Sequence, residues 1–204
     1  MALDSYSNLK TAIADHLDRD DLTSHIDDFI DLAEARHKRD IRIRELVTSG
    51  SITVDARTEN LPTGFLEGIS FRLITDPITP LSYVSPEEMA LVRLQENGKP
   101  TYYTILGTTI EFDKVADQSY TGDFLYHKSA TALADGNTSN EILVRAPDAY
   151  LYGALLGTAP FLQHDERIDV WAALYKSCVD SLAQSRRQER VSGRLVSRVR
   201  GATP

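Results

Sequence analysis

The sequence predicts a mainly α fold: a helical bundle built from N- and C-terminal helix pairs, with a small antiparallel β insertion and an extended C-terminal arm. Three observations predict it. Apolar residues recur at helical steps of three and four near both ends, as Tyr6, Leu9, Ile13 and Leu17 and again as Ile168, Trp171, Tyr175, Cys178 and Leu182. Between them the texture changes to short alternating segments broken by Pro62, Gly64, Pro77, Pro80 and Gly98. Last, residues 186–204 hold six arginines (Arg186, Arg187, Arg190, Arg194, Arg198, Arg200) against one acid, Glu189. That stretch carries +5 on a chain whose net charge is −8, which leaves −13 on residues 1–185.

The elements follow in order. Residues 5–18 read as an amphipathic helix, with Ser5 or Ser7 able to cap it by accepting a free N–H. The break Asp18-Arg19-Asp20-Asp21 separates it from a longer helix over 24–47. Thr23 or Ser24 can cap this second helix, and Asp27 and Asp28 favour its positive end. Its apolar stripe starts with Ile26, Phe29, Ile30 and Ala33 and resumes with Ile43, Leu46 and Val47, and Gly50 ends the unit.

Residues 51–135 form the predicted insertion. Thr101–Ile105 and Ile110–Asp113 read as strands joined around Gly107-Thr108, because glycine tolerates the positive φ of tight turns. Tyr120–Lys128 reads as a third strand. Ser85-Pro86-Glu87-Glu88 reads as a short helix start, with a serine cap, proline at the first helical position and Glu88 three past the cap.

After the loop 135–139, Pro147-Asp148 opens a helix to 162. Gly153, Ala154 and Gly157 give it a small-residue face for another helix, and Pro160 should end or kink it. A last helix over 165–188 carries the second seam, and Gly193 loosens the chain into its tail. The parts are therefore residues 1–50, 51–135, 136–189 and 190–204. The simplest closure packs the two helix pairs into a four-helix bundle, with the sheet projecting from one end.

Composition narrows the function. With 42% hydrophobic and 25% charged residues in 204, the body should fold. The negative net charge argues against a general nucleic-acid binder. A single cysteine, Cys178, excludes an intrachain disulfide and a cysteine-built zinc site. Met1-Ala2-Leu3-Asp4 lacks the pattern of a signal peptide, and the longest apolar run, Ala149–Leu162, is too short to span a membrane. The expectation is a protein made in the cytoplasm, with no membrane contact. Without a secretory signal, the sequon Asn137-Thr138-Ser139 reads as coincidence.

Catalytic motifs are missing. His16, His25, His37, His127 and His164 show no zinc-protease spacing, and His37 sits among Arg36, Lys38 and Arg39. Gly64-Phe65-Leu66-Glu67-Gly68 lacks the lysine of a phosphate loop, and Cys178 lies on a packing seam as a small hydrophobe. Asp20, Asp27, Glu34 and Glu67 could be imagined as an acid/base pair for sugar cleavage, yet nothing sets one apart among 30 acids. No enzyme, cofactor or metal is expected. The arm is the sharper feature. Arg190, Arg194 and Arg198 are four apart, as are Val191, Leu195 and Val199. With Val196 and Arg200, these residues read as a segment that orders on a partner, by strand addition or in a groove.

Several stretches resemble the head-to-tail adaptor proteins of tailed bacteriophages, relatives of the tail accessory factor of short-tailed phages. They are Tyr6-Ser7-Asn8-Leu9 with Ile13-Ala14-Asp15-His16-Leu17, Arg19-Asp20-Asp21-Leu22, Phe29-Ile30-Asp31-Leu32-Ala33-Glu34-Ala35-Arg36, and Arg39-Asp40-Ile41-Arg42. Leu61–Glu67, Pro80–Glu87 and Pro100–Thr104 follow in the insertion. Tyr150–Leu155, Ala159–Leu162, Asp165-Glu166-Arg167 and Trp171 complete the pattern over residues 5–190.

The resemblance implies a structural virion protein at the head–tail junction, made in the host bacterium. It implies a dodecameric homo-oligomeric ring between the portal protein and a tail or nozzle protein, continuing the DNA channel without sequence-specific DNA binding. It also implies that the arm reaches the portal. In such a ring Glu34, Arg36, Lys38, Arg39, Asp40, Arg42 and Arg44 are candidate subunit contacts, since head-to-tail interfaces can use complementary charge. The alternatives are a cell-wall (peptidoglycan) hydrolase and a DNA-binding module working through the basic tail.

Overall fold

The computed structural model describes residues 3–162 and 165–191. The chain divides into two compact units, one formed by residues 1–44 with 131–204 and the other by residues 45–130.

The first unit is helical. Helix α1 (Tyr6–Leu17) starts where Ser5 Oγ accepts the Asn8 N–H at 3.4 Å and stops at Asp18, whose φ is 53°. It buries the expected Tyr6, Leu9, Ile13 and Leu17. A 3-10 turn, Asp20–His25, leads into α2 (Ile26–Asp40). The predicted helix over 24–47 ends early, at Asp40. Ile41 is extended at φ −103°, ψ 126°, and Val47 begins a strand. The reason lies in Ile41-Arg42-Ile43-Arg44, where Ile41 and Ile43 are buried and the arginines between and after them are not. That is a period of two, and β-branched side chains favour it.

After a short helix α4 (Glu141–Arg145), capped by Asn140, comes α5 (Pro147–Gly157). It packs against α1, α2, α4 and α6 (Arg167–Val191), so it is buried nearly all round. Its glycines permit this. A β-carbon on Gly153 would stand 3.2 Å from Ala33 Cβ, and one on Gly157 would stand 3.5 Å from Phe29 Cα. α5 ends before Pro160, and Ala159–Phe161 makes a single 3-10 turn. On α6, Trp171, Tyr175 and Cys178 are buried, as the seam predicts.

The second unit corrects the predicted fold class. It is not a small antiparallel insertion in a mainly α chain: the protein is mixed α/β, and about half of it is a seven-stranded, nearly closed barrel. The strands are β1 (Val47–Val54), β2 (Thr58–Asn60), β3 (Phe65–Leu73), β4 (Thr79–Tyr83), β5 (Tyr102–Leu106), β6 (Thr109–Phe112) and β7 (Tyr120–Lys128). They lie in the order β1-β7-β3-β4-β5-β6-β2, antiparallel except for the β4–β5 pair. The β5–β6 turn, the β7 strand and the capped helix α3 (Pro86–Val92) match the sequence reading.

The first four strands do not, because their identity comes from distant partners. Gly50, read as a stop, sits inside β1 opposite Phe124. β3 carries two register shifts, one between Gly68 and Ser70. The interior is aromatic. The Phe71 ring lies 5.3 Å from Phe124, 5.5 Å from Tyr103 and 5.7 Å from Phe112, spacings at which edge and tilted contacts add to area burial.

Candidate functional site

The seven charged residues expected to contact other subunits divide into two groups. Three tie α2 to other parts of the helical unit. Glu34 is 8% exposed, and its Oε1 accepts the Leu133 N–H at 2.7 Å and the Tyr150 hydroxyl at 3.2 Å. Asn140 Nδ2 donates to the Tyr150 oxygen and also to Thr131 O at 2.7 Å. Burial raises the Glu34 carboxyl above its ordinary range, and the bonds from Leu133 and Tyr150 oppose that rise. Arg36 donates to Gly153 O at 3.3 Å and Leu156 O at 3.5 Å, near the C-terminal end of α5. Asp40 accepts the Tyr175 hydroxyl at 3.0 Å and so ties α2 to α6.

Lys38 and Arg39 instead project from the exposed side of α2. Arg42 donates to Lys38 O and Ile41 O, both at 2.9 Å, closing the helix end. Arg44 is exposed. The sequence pattern could not separate the groups, because Glu34 and Arg36 look like members of one solvated run. The signal lay in the phase: Glu34 is four past Ile30 and one past Ala33, on the buried side of the helix.

The arm lies at the margin of the described residues. Arg190 and Val191 close α6. Arg194, Leu195, Val196, Arg198, Val199 and Arg200 fall outside them.

Several of the groups weighed for catalysis have structural partners instead. Asp27 is held by Lys10 at 2.7 Å and by the Tyr6 hydroxyl at 3.0 Å, which lowers its carboxyl. Asp20 lies in the 3-10 turn before α2, and Glu67 is exposed on β3. His37 is buried, with Nε2 3.3 Å from Ala149 O, and burial pulls its pKa down to about 4. Cys178 is buried, and burial together with a bond to Asp148 pushes its thiol up to about 12, so it stays protonated and unreactive at neutral pH. Among the described residues, no group of three or more His, Cys, Asp or Glu could hold a metal ion, and no helix is long and apolar enough to cross a membrane.

What remains is surface. Leu32, Phe161, Val170 and Leu174 are 40–57% exposed on the helical unit, and Ile74, Ile78, Tyr83 and Leu91 are exposed on the barrel. Exposed apolar side chains beside charged ones mark surfaces for protein contact, the feature of an assembly protein. Residues 4–198 match the SU10 adaptor protein family, and the chain belongs to this family of head-to-tail adaptors of tailed phages. It is a structural, non-catalytic component that works through contacts with portal and tail components. A search of curated proteins returned no match.

Proposed function

We propose that copies of this adaptor assemble into a dodecameric ring between the portal protein and a tail or nozzle protein, at the head–tail junction of a virion assembled in the host cytoplasm. The ring continues the DNA channel, and residues 190–204 act as a separate arm that docks on the portal. The observation that carries this reading is the division of charge: −13 on residues 1–185 against +5 on residues 186–204. An acidic wall does not grip phosphate, so DNA slides past it, and no base-specific contact is required. A basic, aliphatic arm suits docking on an acidic or strand-edge site of a partner. Lys38, Arg39 and Arg44, which point outward, support the assembly reading.

Co-sedimentation with purified portal rings tests the arm. The full chain should pellet with the portal, and a chain lacking residues 190–204 should lose most of that binding. Undiminished binding by the truncated chain would remove the arm from the account.

A further inference from the structure

We propose that the outer face of α2 is a two-fold contact between two copies of this chain, with two antiparallel α2 helices exchanging Asp28–Arg39 and Asp31–Lys38 ion pairs around Ala35. The inference goes beyond the ring reading and does not rest on it.

The face is set by helical phase. Ile26, Phe29, Ile30, Ala33 and His37 point into the unit, while Asp28, Asp31, Leu32, Lys38 and Arg39 are exposed and Ala35 is half-buried. The exposed residues form two neighbouring rows along the helix. One row runs Asp28, Leu32, Arg39, and the other runs Asp31, Ala35, Lys38. In each row the acid is at the N-terminal end and the base at the C-terminal end. Asp28 and Arg39 are about 17 Å apart along the axis, and Asp31 and Lys38 about 10 Å, at a rise of about 1.5 Å per residue. Both pairs are centred at the level of Glu34.

That shared centre decides the geometry. A two-fold axis perpendicular to the helix keeps each row on its own side of the interface and reverses its direction. Asp28 then meets Arg39 of the second copy, and Asp31 meets its Lys38, each pair twice over. A parallel arrangement would set acid against acid and base against base. The middle suits close approach, because Ala35 is small and Leu32, 48% exposed, supplies an apolar flank.

One helix pair buries less than a standard interface, and exposed ion pairs are individually weak, so the dimer is of the transient class. A two-fold contact is closed and cannot propagate a ring, so it pairs free copies and opens before Lys38 and Arg39 serve any ring contact.

The test uses the full chain without portal. Sedimentation velocity at about 100 μM and low salt should show concentration-dependent dimer, reduced several-fold when about 0.5 M salt shortens the Debye length. Asp28→Arg alone and Arg39→Asp alone should each abolish it, and the double swap D28R/R39D should restore it. Mixing D28R/D31K, whose face is wholly basic, with K38D/R39D, whose face is wholly acidic, should give a heterodimer tighter than the wild-type pair. A wild-type chain that stays monomeric, or a mixture that forms no complex, overturns the proposal. So would an Arg39→Asp chain that dimerises normally but loses portal binding, which would assign the face to the portal. The ring reading is read out only with portal present, so the two can fail separately.

Discussion

Glu34 and Tyr150 meet inside the helical unit across 116 residues of sequence, the Tyr150 hydroxyl donating to Glu34 Oε1 at 3.2 Å. The same oxygen accepts the Leu133 N–H at 2.7 Å. One carboxylate on α2 therefore holds both α5 and the chain that returns at residue 133. Removing a buried acceptor strands its donors, at a cost of about 1–3 kcal/mol for each donor left unsatisfied. Glu34→Ala should lower unfolding stability by at least that amount in denaturant titration. Glu34→Gln, which keeps an acceptor oxygen, should cost less.

His37 gives the helical unit an acid limit. Its pKa falls from the ordinary 6.5 to about 4 on folding, because burial disfavours the imidazolium. The unfolded chain then binds the proton more readily, so stability is full above pH 6.5 and is lost as pH falls toward 4. The loss amounts to about 3 kcal/mol, from about 1.4 kcal/mol per pKa unit. Unfolding free energies measured across this window should show it. The Glu34 carboxyl, raised in the folded state, shifts the opposite way: its contribution is fullest in acid and declines as pH rises above the ordinary carboxylate range. His37→Phe, which keeps a ring between Tyr150 and Tyr175, should flatten the acid limb between 6.5 and 4.

The barrel has a comparable tight point. A β-carbon on Gly122 would stand 2.5 Å from Phe71 Cζ, in the middle of the aromatic interior. Gly122→Ala must displace that ring, and overpacking of this kind costs about 1–3 kcal/mol. A lowered denaturation midpoint with changed near-UV aromatic ellipticity should report it.

Cys178 offers a probe of the helical unit. With its thiol buried and held protonated, it should resist an aromatic disulfide reagent at neutral pH and react fully once denaturant opens the unit. Rapid labelling of the folded chain would contradict the packing of α6 against α5.

The helices were legible where the signal was local. Ser85 with Pro86 and Glu88 marked α3, and Gly107 at φ 59° marked the β5–β6 turn. Ile168, Trp171, Tyr175, Cys178 and Leu182 set the phase of α6. The barrel was half hidden because its first strands lack local signals. Ser49-Gly50-Ser51 has little strand propensity and becomes β1 by pairing with Leu125, Phe124 and Asp123, more than seventy residues away. β4 contains Pro80, which reads as a breaker, and β3 spends its register on two bulges. Of the expected interface residues, the pattern found the charged run on α2 but not its division between inward Glu34 and outward Lys38 and Arg39. That division depends on which face α5 covers.

The most direct test of the adaptor assembly is mass. Light scattering of the purified chain, alone and then with portal rings, should show small species alone and a complex carrying about twelve adaptor copies per portal ring, the number the proposed closed dodecamer implies. A chain that stays small and separate from the portal at every ratio would contradict the proposed ring.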